Sequence, residues 1–165
     1  MKFIVVEKQG GAHIVELDEI DYIKIRELLK LKNDRCFEVV NRKIGKHNYD
    51  IYLDDAGLLD GTRYLTGVCY SGGPSVVVEL LVGNLLIAKS DNEGNTIGLS
   101  DFEINEIMFN LMENEDSCKE YGDEFFDEKN EAFVRLGDEG MYKDVLFKIH
   151  KKAYTLMYEI PDWRK

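Results

Sequence analysis

The sequence predicts an α+β fold: a mainly antiparallel sheet of about five strands, one helix after the first hairpin, and further helices toward the C-terminus. Three observations predict it. Short runs rich in β-branched and aromatic residues, bounded by Gly, Asp and Asn, fill most of the first hundred residues. Ser100-Asp101-Phe102-Glu103 is a capping box, with Ser at the N-cap and Glu three residues later, and it opens a helical repeat. Tyr142, Val145, Leu146, Ile149, Ala153, Leu156 and Met157 recur near the helical period.

Lys2–Glu7 reads as a strand that turns at Gly10-Gly11 into the alternating run Ala12–Leu17, a hairpin. Asp18 is placed to cap a helix over 19–31, with Glu19 and Asp21 in its first turn and Ile20, Ile23, Leu28 and Leu31 near helical spacing. Cys36–Val40 is a short strand, and Asn48–Leu53 a second, with Tyr49, Ile51 and Leu53 on one face. Between them, residues 41–47 read as a basic turn. Asp54-Asp55-Ala56-Gly57 is a turn by chemistry. Residues 60–75 are Gly-rich, and Ser71-Gly72-Gly73-Pro74 is loop. Glu79–Lys89 reads as one largely buried strand, followed by a turn at 91–95. The capped helix should bury Ile104, Ile107, Met108 and Leu111 and fade by about Asn114. The chain thus divides into an α+β domain over 1–112, an acidic connecting segment over 113–140, and an amphipathic helix over 141–160 packed on the same body.

Charge is unevenly spread. The net charge is −11, yet residues 1–100 carry 15 acids and 12 bases, residues 101–144 carry 15 acids and 4 bases, and residues 145–165 carry 2 acids and 5 bases. A phosphate backbone needs concentrated Lys and Arg, so direct nucleic-acid binding is not expected. The longest weakly polar stretch, 76–88, is broken by Glu79, Gly83 and Asn84 and is too short for a membrane span, which needs about 20 apolar residues. The apolar run after Met1-Lys2 is too short for a secretory leader. Cys36, Cys69 and Cys118 form no CxxC pair, which argues for reduced thiols in the cytoplasm rather than a disulfide framework or zinc site.

Motifs that carry chemistry are few. Asp91-x-Glu93-x-Asn95 starts like a calcium loop, but such a loop needs Gly at its sixth position and Glu at its twelfth, where this chain has Thr96 and Phe102. A solvated turn explains it better. Gly72-Gly73 could approach a phosphate, but no Gly-Lys-Ser/Thr follows and Pro74 lacks an N–H. His13, His47 and His150 lack ligand spacing with each other or with a cysteine. No Ser or Cys sits in a nucleophile motif. No catalytic residue, metal ligand or cofactor is therefore assigned.

The unusual feature is the run Glu113, Glu115, Asp116, Glu120, Asp123, Glu124, Asp127 and Glu128. In a helix, carboxylates three and four apart stand about 5–6 Å from one another. A row of that kind can face a basic partner as a nucleic-acid strand does. Charge runs are more often solvated faces, but Phe125, Phe126 and Phe133 within and beside this one favour burial.

Cys36-Phe37-Glu38-Val39-Val40, the stretch Tyr49 to Leu59 with Asp54-Asp55-Ala56-Gly57-Leu58-Leu59, and Leu81-Val82-Gly83-Asn84-Leu85-Leu86-Ile87-Ala88 with Leu99-Ser100-Asp101-Phe102-Glu103-Ile104 resemble the family known as domain of unknown function 3846. Ala56 stands where many members carry an acid. The likeness spans about residues 1–110. It implies an origin in Firmicutes, their phages and conjugative elements, and it assigns no activity or catalytic residue.

The functional expectation is a non-enzymatic cytoplasmic accessory protein of a mobile element. It would bind a basic protein partner through the acidic surface, in the manner of an anti-defence protein or nucleic-acid mimic. The alternative is a small-molecule or nucleotide-binding domain using Ser71, Gly72, Gly73 and Ser75; a purely structural domain is a further one. The chemistry is directly testable: protein purified without chelator should contain no stoichiometric zinc or calcium by elemental analysis. One metal per chain would overturn that expectation and direct attention to the Asp91 turn.

Overall fold

The computed structural model of the chain describes residues 1–8, 11–57, 63–70, 78–122, 134–135, 146–149 and 157–159; within these, the side chains of 63–65, 67–70, 78–80, 112–122 and the last three strands are not described. Strands β1 (Lys2–Glu7) and β2 (Gly11–Glu16) form the expected antiparallel hairpin, with Lys2 opposite Glu16 and Glu7 opposite Gly11.

Helix α1 (Tyr22–Leu28) is shorter than its sequence pattern. Its cap is Asp21 rather than Asp18: the Asp21 carboxylate accepts the Lys24 amide at 2.8 Å. Its end is closed by paired bonds, Lys30 N–H to Glu27 carbonyl at 3.0 Å and Leu31 N–H to Arg26 carbonyl at 3.1 Å. This is a Schellman motif in which Lys30, with φ of 53°, occupies the left-handed position more often held by glycine. Ile20 and Leu31 lie outside the helix and still pack on the core. Arg26 gathers the following loop, donating to the carbonyls of Lys32, Asn33 and Arg35.

β3 (Phe37–Ile44) and β4 (His47–Asp54) pair along their full length, from Phe37 opposite Asp54 to Ile44 opposite His47. The basic turn expected over 41–47 shrinks to Gly45-Lys46, because Ile44 is buried and continues the strand. Gly45 has φ of +66°, as the first central position of a two-residue hairpin turn requires. β5 (Arg63–Tyr70) occupies part of the Gly-rich region. The run 79–89 is two strands, β6 (Val78–Val82) and β7 (Leu85–Ser90), rather than one. The chain breaks at Gly83, φ +82°, because β6 pairs with β5 whereas β7 pairs with β1 and β4. Asn84 pins the break, donating to the Leu29 carbonyl at 3.1 Å and accepting the Lys8 amide at 3.0 Å. The short β8 (Thr96–Ile97) folds back on β7 across the Asp91 turn.

Helix α2 (Asp101–Gly122) follows. The capping box forms as predicted: Ser100 N–H donates to Glu103 at 2.7 Å and Glu103 N–H donates to Ser100 Oγ at 3.3 Å. Lys89 of β7 reaches Glu103 at 2.8 Å and fixes the start of α2 over the sheet. Three short strands complete the pairing: β9 (Val134–Arg135), β10 (Leu146–Ile149) and β11 (Met157–Glu159). The last two fall where the sequence predicts a helix over 141–160. Apolar residues there recur at helical spacing, but β10 and β11 meet the free edge of β5 in parallel register, and tertiary pairing overrides the local period. The rest of 141–160, and most of the predicted connecting segment beyond Gly122, lie outside the described residues.

The strands join in the order β2-β1-β7-β4-β3-β11-β5-β10-β9, with β6 on β5 and β8 on β7. Pairing is antiparallel except where β10 and β11 meet β5. The mainly antiparallel α+β arrangement is as expected; the described sheet has more than the expected five strands because 79–89 is split in two, β5 forms in the Gly-rich region, and β8 to β11 are only two to four residues long, too short to show a period. Its centre is apolar on both faces. Ile4, Val6, Ile51, Leu85 and Ile87 pack with Ile104, Ile107 and Leu111 of α2. Phe3, Val5, Tyr52, Leu86 and Ala88 pack with Ile25 of α1 and Leu29 at its C-cap. Among the described residues no helix is long and apolar enough to cross a membrane.

Ile107 is fully buried in this packing while Phe109, two residues on, is 60% exposed. Ile107→Ala should lower unfolding free energy by about 2–5 kcal/mol. Phe109→Ala should change it by less than about 0.5 kcal/mol. Denaturant titrations of both variants check this; equal effects would show that α2 is not docked through Ile107.

Candidate functional site

Of the acidic residues singled out in the sequence, Glu113, Glu115, Asp116 and Glu120 lie in α2, which continues to Gly122 instead of fading near Asn114. Asp123, Glu124, Asp127 and Glu128 lie outside the described residues, as do Ser71, Gly72, Gly73 and Ser75 of the alternative loop site, and His150. His13 is exposed on β2. The Asp91 turn is closed on itself: the carboxylate accepts the Glu93 and Asn95 amides, each at 2.9 Å, and the Asn95 side chain at 3.0 Å. The Asn95 bonds hold the Asp91 carboxyl below its ordinary pKa. Among the described residues no group of three or more His, Cys, Asp and Glu is arranged to hold a metal.

A cluster that the sequence does not single out forms where the β3–β4 turn meets α2. Glu106 lies between Ile104 and Ile107, and its side chain is 11% exposed. One carboxylate oxygen receives the Tyr49 hydroxyl at 2.7 Å and stands 2.7 Å from His47 Nδ1. The other accepts the Lys46 amide at 3.1 Å. Gly45 makes room: a Cβ there would stand 2.6 Å from Asn110 Nδ2 and 3.0 Å from Glu106 Cγ. Asn110 is itself turned back onto the Glu106 carbonyl at 2.7 Å. Burial pushes the Glu106 carboxyl up, but bonds from Tyr49, His47 and the Lys46 amide outweigh it and hold the group below the usual carboxylate value. Burial, then the bond to Glu106, raises the Tyr49 phenol far above its ordinary value.

Chemically the arrangement is a clasp with a histidine on its rim. With Glu106 ionised, Nδ1 of His47 carries the proton, which orients the imidazole as in carboxylate–histidine pairs of general bases. The ring is 54% exposed on its side chain and meets Phe102 edge-on at 6.2 Å. The hydroxyl bonded to the cluster belongs to Tyr49, which donates into Glu106 and is held protonated, so it is no nucleophile. The sequence held one usable signal. Tyr49 falls on the buried face of its strand, and a buried phenol needs an acceptor. Glu106, the one of the first two glutamates of the next long helix that the capping box does not use, is that acceptor.

The side of α2 opposite Ile104, Ile107 and Leu111 differs along its length. Phe102 is 67% exposed and Phe109 60%. Glu113, Asp116 and Glu120 continue the same line at helical spacing, and α2 as a whole carries seven acids against one lysine. No family model, no curated protein and no solved structure matches this chain.

Because its folded pKa is depressed, Glu106 contributes stability above its ordinary value of 4.5, and that contribution is lost as pH falls through the folded value. Glu106→Gln should therefore flatten the loss of stability with acidification below about pH 4.5. Tyr49→Phe should cost about 1.5–3 kcal/mol at neutral pH. Melts across pH for the three proteins check both; an unchanged acid slope in Glu106→Gln would show that the clasp does not form.

Proposed function

We propose that this protein is a non-enzymatic binding protein that engages a basic protein partner through the acidic second half of α2. The supporting observation is the continuation of α2 to Gly122, which carries Glu113, Glu115, Asp116 and Glu120 on one regular helix. Residues three and four apart on a regular helix are neighbours on its surface, about 5–6 Å apart at Cβ. A row of like charges of this kind steers a basic partner into encounter and repels phosphate backbones. The closed Glu106 clasp, with its protonated phenol, fits a structural role and not a catalytic one. The setting of the reading, a cytoplasmic accessory protein of a mobile element, rests on the family resemblance.

The test compares two triple variants of equal net charge. Glu113→Lys/Asp116→Lys/Glu120→Lys reverses the α2 row. Glu16→Lys/Glu19→Lys/Asp34→Lys reverses three exposed acids outside α2, at the end of β2 and in the segments flanking α1. Against a lysine-rich polypeptide, the α2 variant should bind more weakly than the control, chiefly through a slower on-rate. Parent affinity should fall as salt rises from about 50 to 200 mM. Equal loss in both variants would leave net charge as the whole effect and overturn the reading.

A further inference from the structure

The sheet ends on one side at β2: among the described residues no strand lies beyond it. The hairpin fixes which of its groups face outward. Leu17 N–H donates to the Met1 carbonyl at 2.9 Å and the Met1 amine donates to the Leu17 carbonyl at 2.6 Å, so these two are a hydrogen-bonded pair. Such pairs alternate along an antiparallel ladder. Val15 with Phe3, His13 with Val5 and Gly11 with Glu7 therefore bond inward, and Ala12, Ile14 and Glu16 turn both N–H and C=O outward. Lys2 agrees: its carbonyl points away from β2 and accepts the Leu99 amide at 2.7 Å. Both faces beside this edge are open. His13, on the side of α1, is exposed, and so is Ile14, on the side of α2. Edge strands are ordinarily guarded by Lys, Pro or a bulge. β2 has no Lys or Pro, and its register with β1 is unbroken.

We infer that β2 pairs antiparallel with β2 of a second copy of this chain, on a two-fold axis through Ile14. The edge is self-complementary at that register, and this selects the occupant. Ile14 is the middle of the three outward residues. The axis sets Ile14 against the partner's Ile14 and Ala12 against the partner's Glu16, and each such pair exchanges two hydrogen bonds. Every outward N–H and C=O of Ala12, Ile14 and Glu16 is then matched. Sliding the register by two residues either way sets one of the three against a residue outside β2. The two Ile14 side chains meet on one face of the joined sheet, with Cα atoms about 5.5 Å apart. Charge agrees with the antiparallel direction. Glu16 stands between Lys2 of its own β1 and the partner's Ala12, and the acidic end with Asp18 and Glu19 runs toward the end of the partner strand beside Lys8. A parallel copy would set these acids beside their equivalents. The contact uses the same patch on both copies and closes as a dimer. It is independent of the acidic surface proposed for α2.

A single edge pairing is a small interface, so sedimentation velocity of the full chain should show a monomer–dimer equilibrium between about 10 and 500 µM. Ile14→Lys sets two ammonium groups against each other at the axis and should raise the midpoint concentration at least about tenfold. Val39→Lys, at an exposed apolar residue of the interior strand β3, should leave it unchanged. Oxidative cross-linking in a Cys36→Ser background reads the register, whether or not the lysine variant folds. Ile14→Cys should cross-link readily, because Cα atoms about 5.5 Å apart fit a disulfide. Glu16→Cys should not, because an offset of four residues holds its two positions more than about 13 Å apart. A chain that stays monomeric at about 500 µM would overturn the inference. So would a dimer that Ile14→Lys and Val39→Lys weaken equally, or cross-linking as fast through Glu16→Cys as through Ile14→Cys.

Discussion

Strands β1 and β7 are buried on both faces, and the remaining architecture answers that constraint. Ile4 and Val6 point to one side of β1 and Phe3 and Val5 to the other; Leu85 and Ile87, then Leu86 and Ala88, do the same on β7. A strand of this kind needs a covering layer on each side. The amphipathic α2 supplies one, and the short α1 with the flanking Leu17, Ile20 and Leu31 supplies the other. Each fully buried Ile or Leu is worth about 1.5–3 kcal/mol, which explains why α1 holds its place with only seven helical residues. Burial, its cap and its Schellman end replace the stability that length would give.

Polar groups enter this core at few places, and each is tied to chain geometry. Asn84 joins the break between β6 and β7 to the end of α1 and to the end of β1. Glu106 does the equivalent work on the other face, joining α2 to the tip of the β3–β4 hairpin through Lys46, His47 and Tyr49. A buried carboxylate with three donors is held charged, and its removal would leave the Tyr49 hydroxyl without an acceptor. The hairpin tip and the helix therefore fix one another's position. Together with the burial of Ile104, Ile107 and Leu111 and the Lys89–Glu103 pair, this contact fixes which face of α2 meets the sheet, and Phe102 and Phe109 lie on the other.

Much of the first hundred residues was legible because their periods are clean. The β1–β2 hairpin, the alternation of Tyr49, Ile51 and Leu53, the Asp54 and Asp91 turns and the Ser100 capping box all follow from local chemistry. What was not legible has physical causes. Asp18 and Asp21 are equally good caps by type, and only the packing of Ile25 and Leu29 selects Asp21. The end of α1 carries Lys30 in a left-handed position, so no glycine marks it. The break at Gly83 depends on which strands β6 and β7 pair with, which is not local information. The strands β10 and β11 carry a helical period and are strands through their partner. The acids of α2 stood out in composition, whereas the exposure of Phe102 and Phe109 follows from the docking of the opposite side of the helix through Ile104, Ile107 and Leu111. The clasp is a meeting of residues nearly sixty positions apart (Tyr49 and Glu106) that no motif announces.

The pairing of β5 has a consequence for how the chain is made. One edge of β5 is taken by β6, which emerges from a ribosome soon after it. The other edge is completed by β10 and β11; Arg63 waits for Phe147, 84 residues further along, and Val68 for Met157, 89 residues further along. Until those strands are made, that edge presents open backbone donors and acceptors, the form of strand most apt to recruit a foreign chain. Contacts of such sequence separation form slowly, because the intervening loop must close before pairing rewards it. The two-layered centre built by β1, β4, β7, α1 and the first half of α2 needs only residues up to Leu111. The nascent protein thus passes through a stage in which its N-terminal core is complete and its β5 edge is exposed, and the interval lasts as long as translation of the acidic segment and the tail.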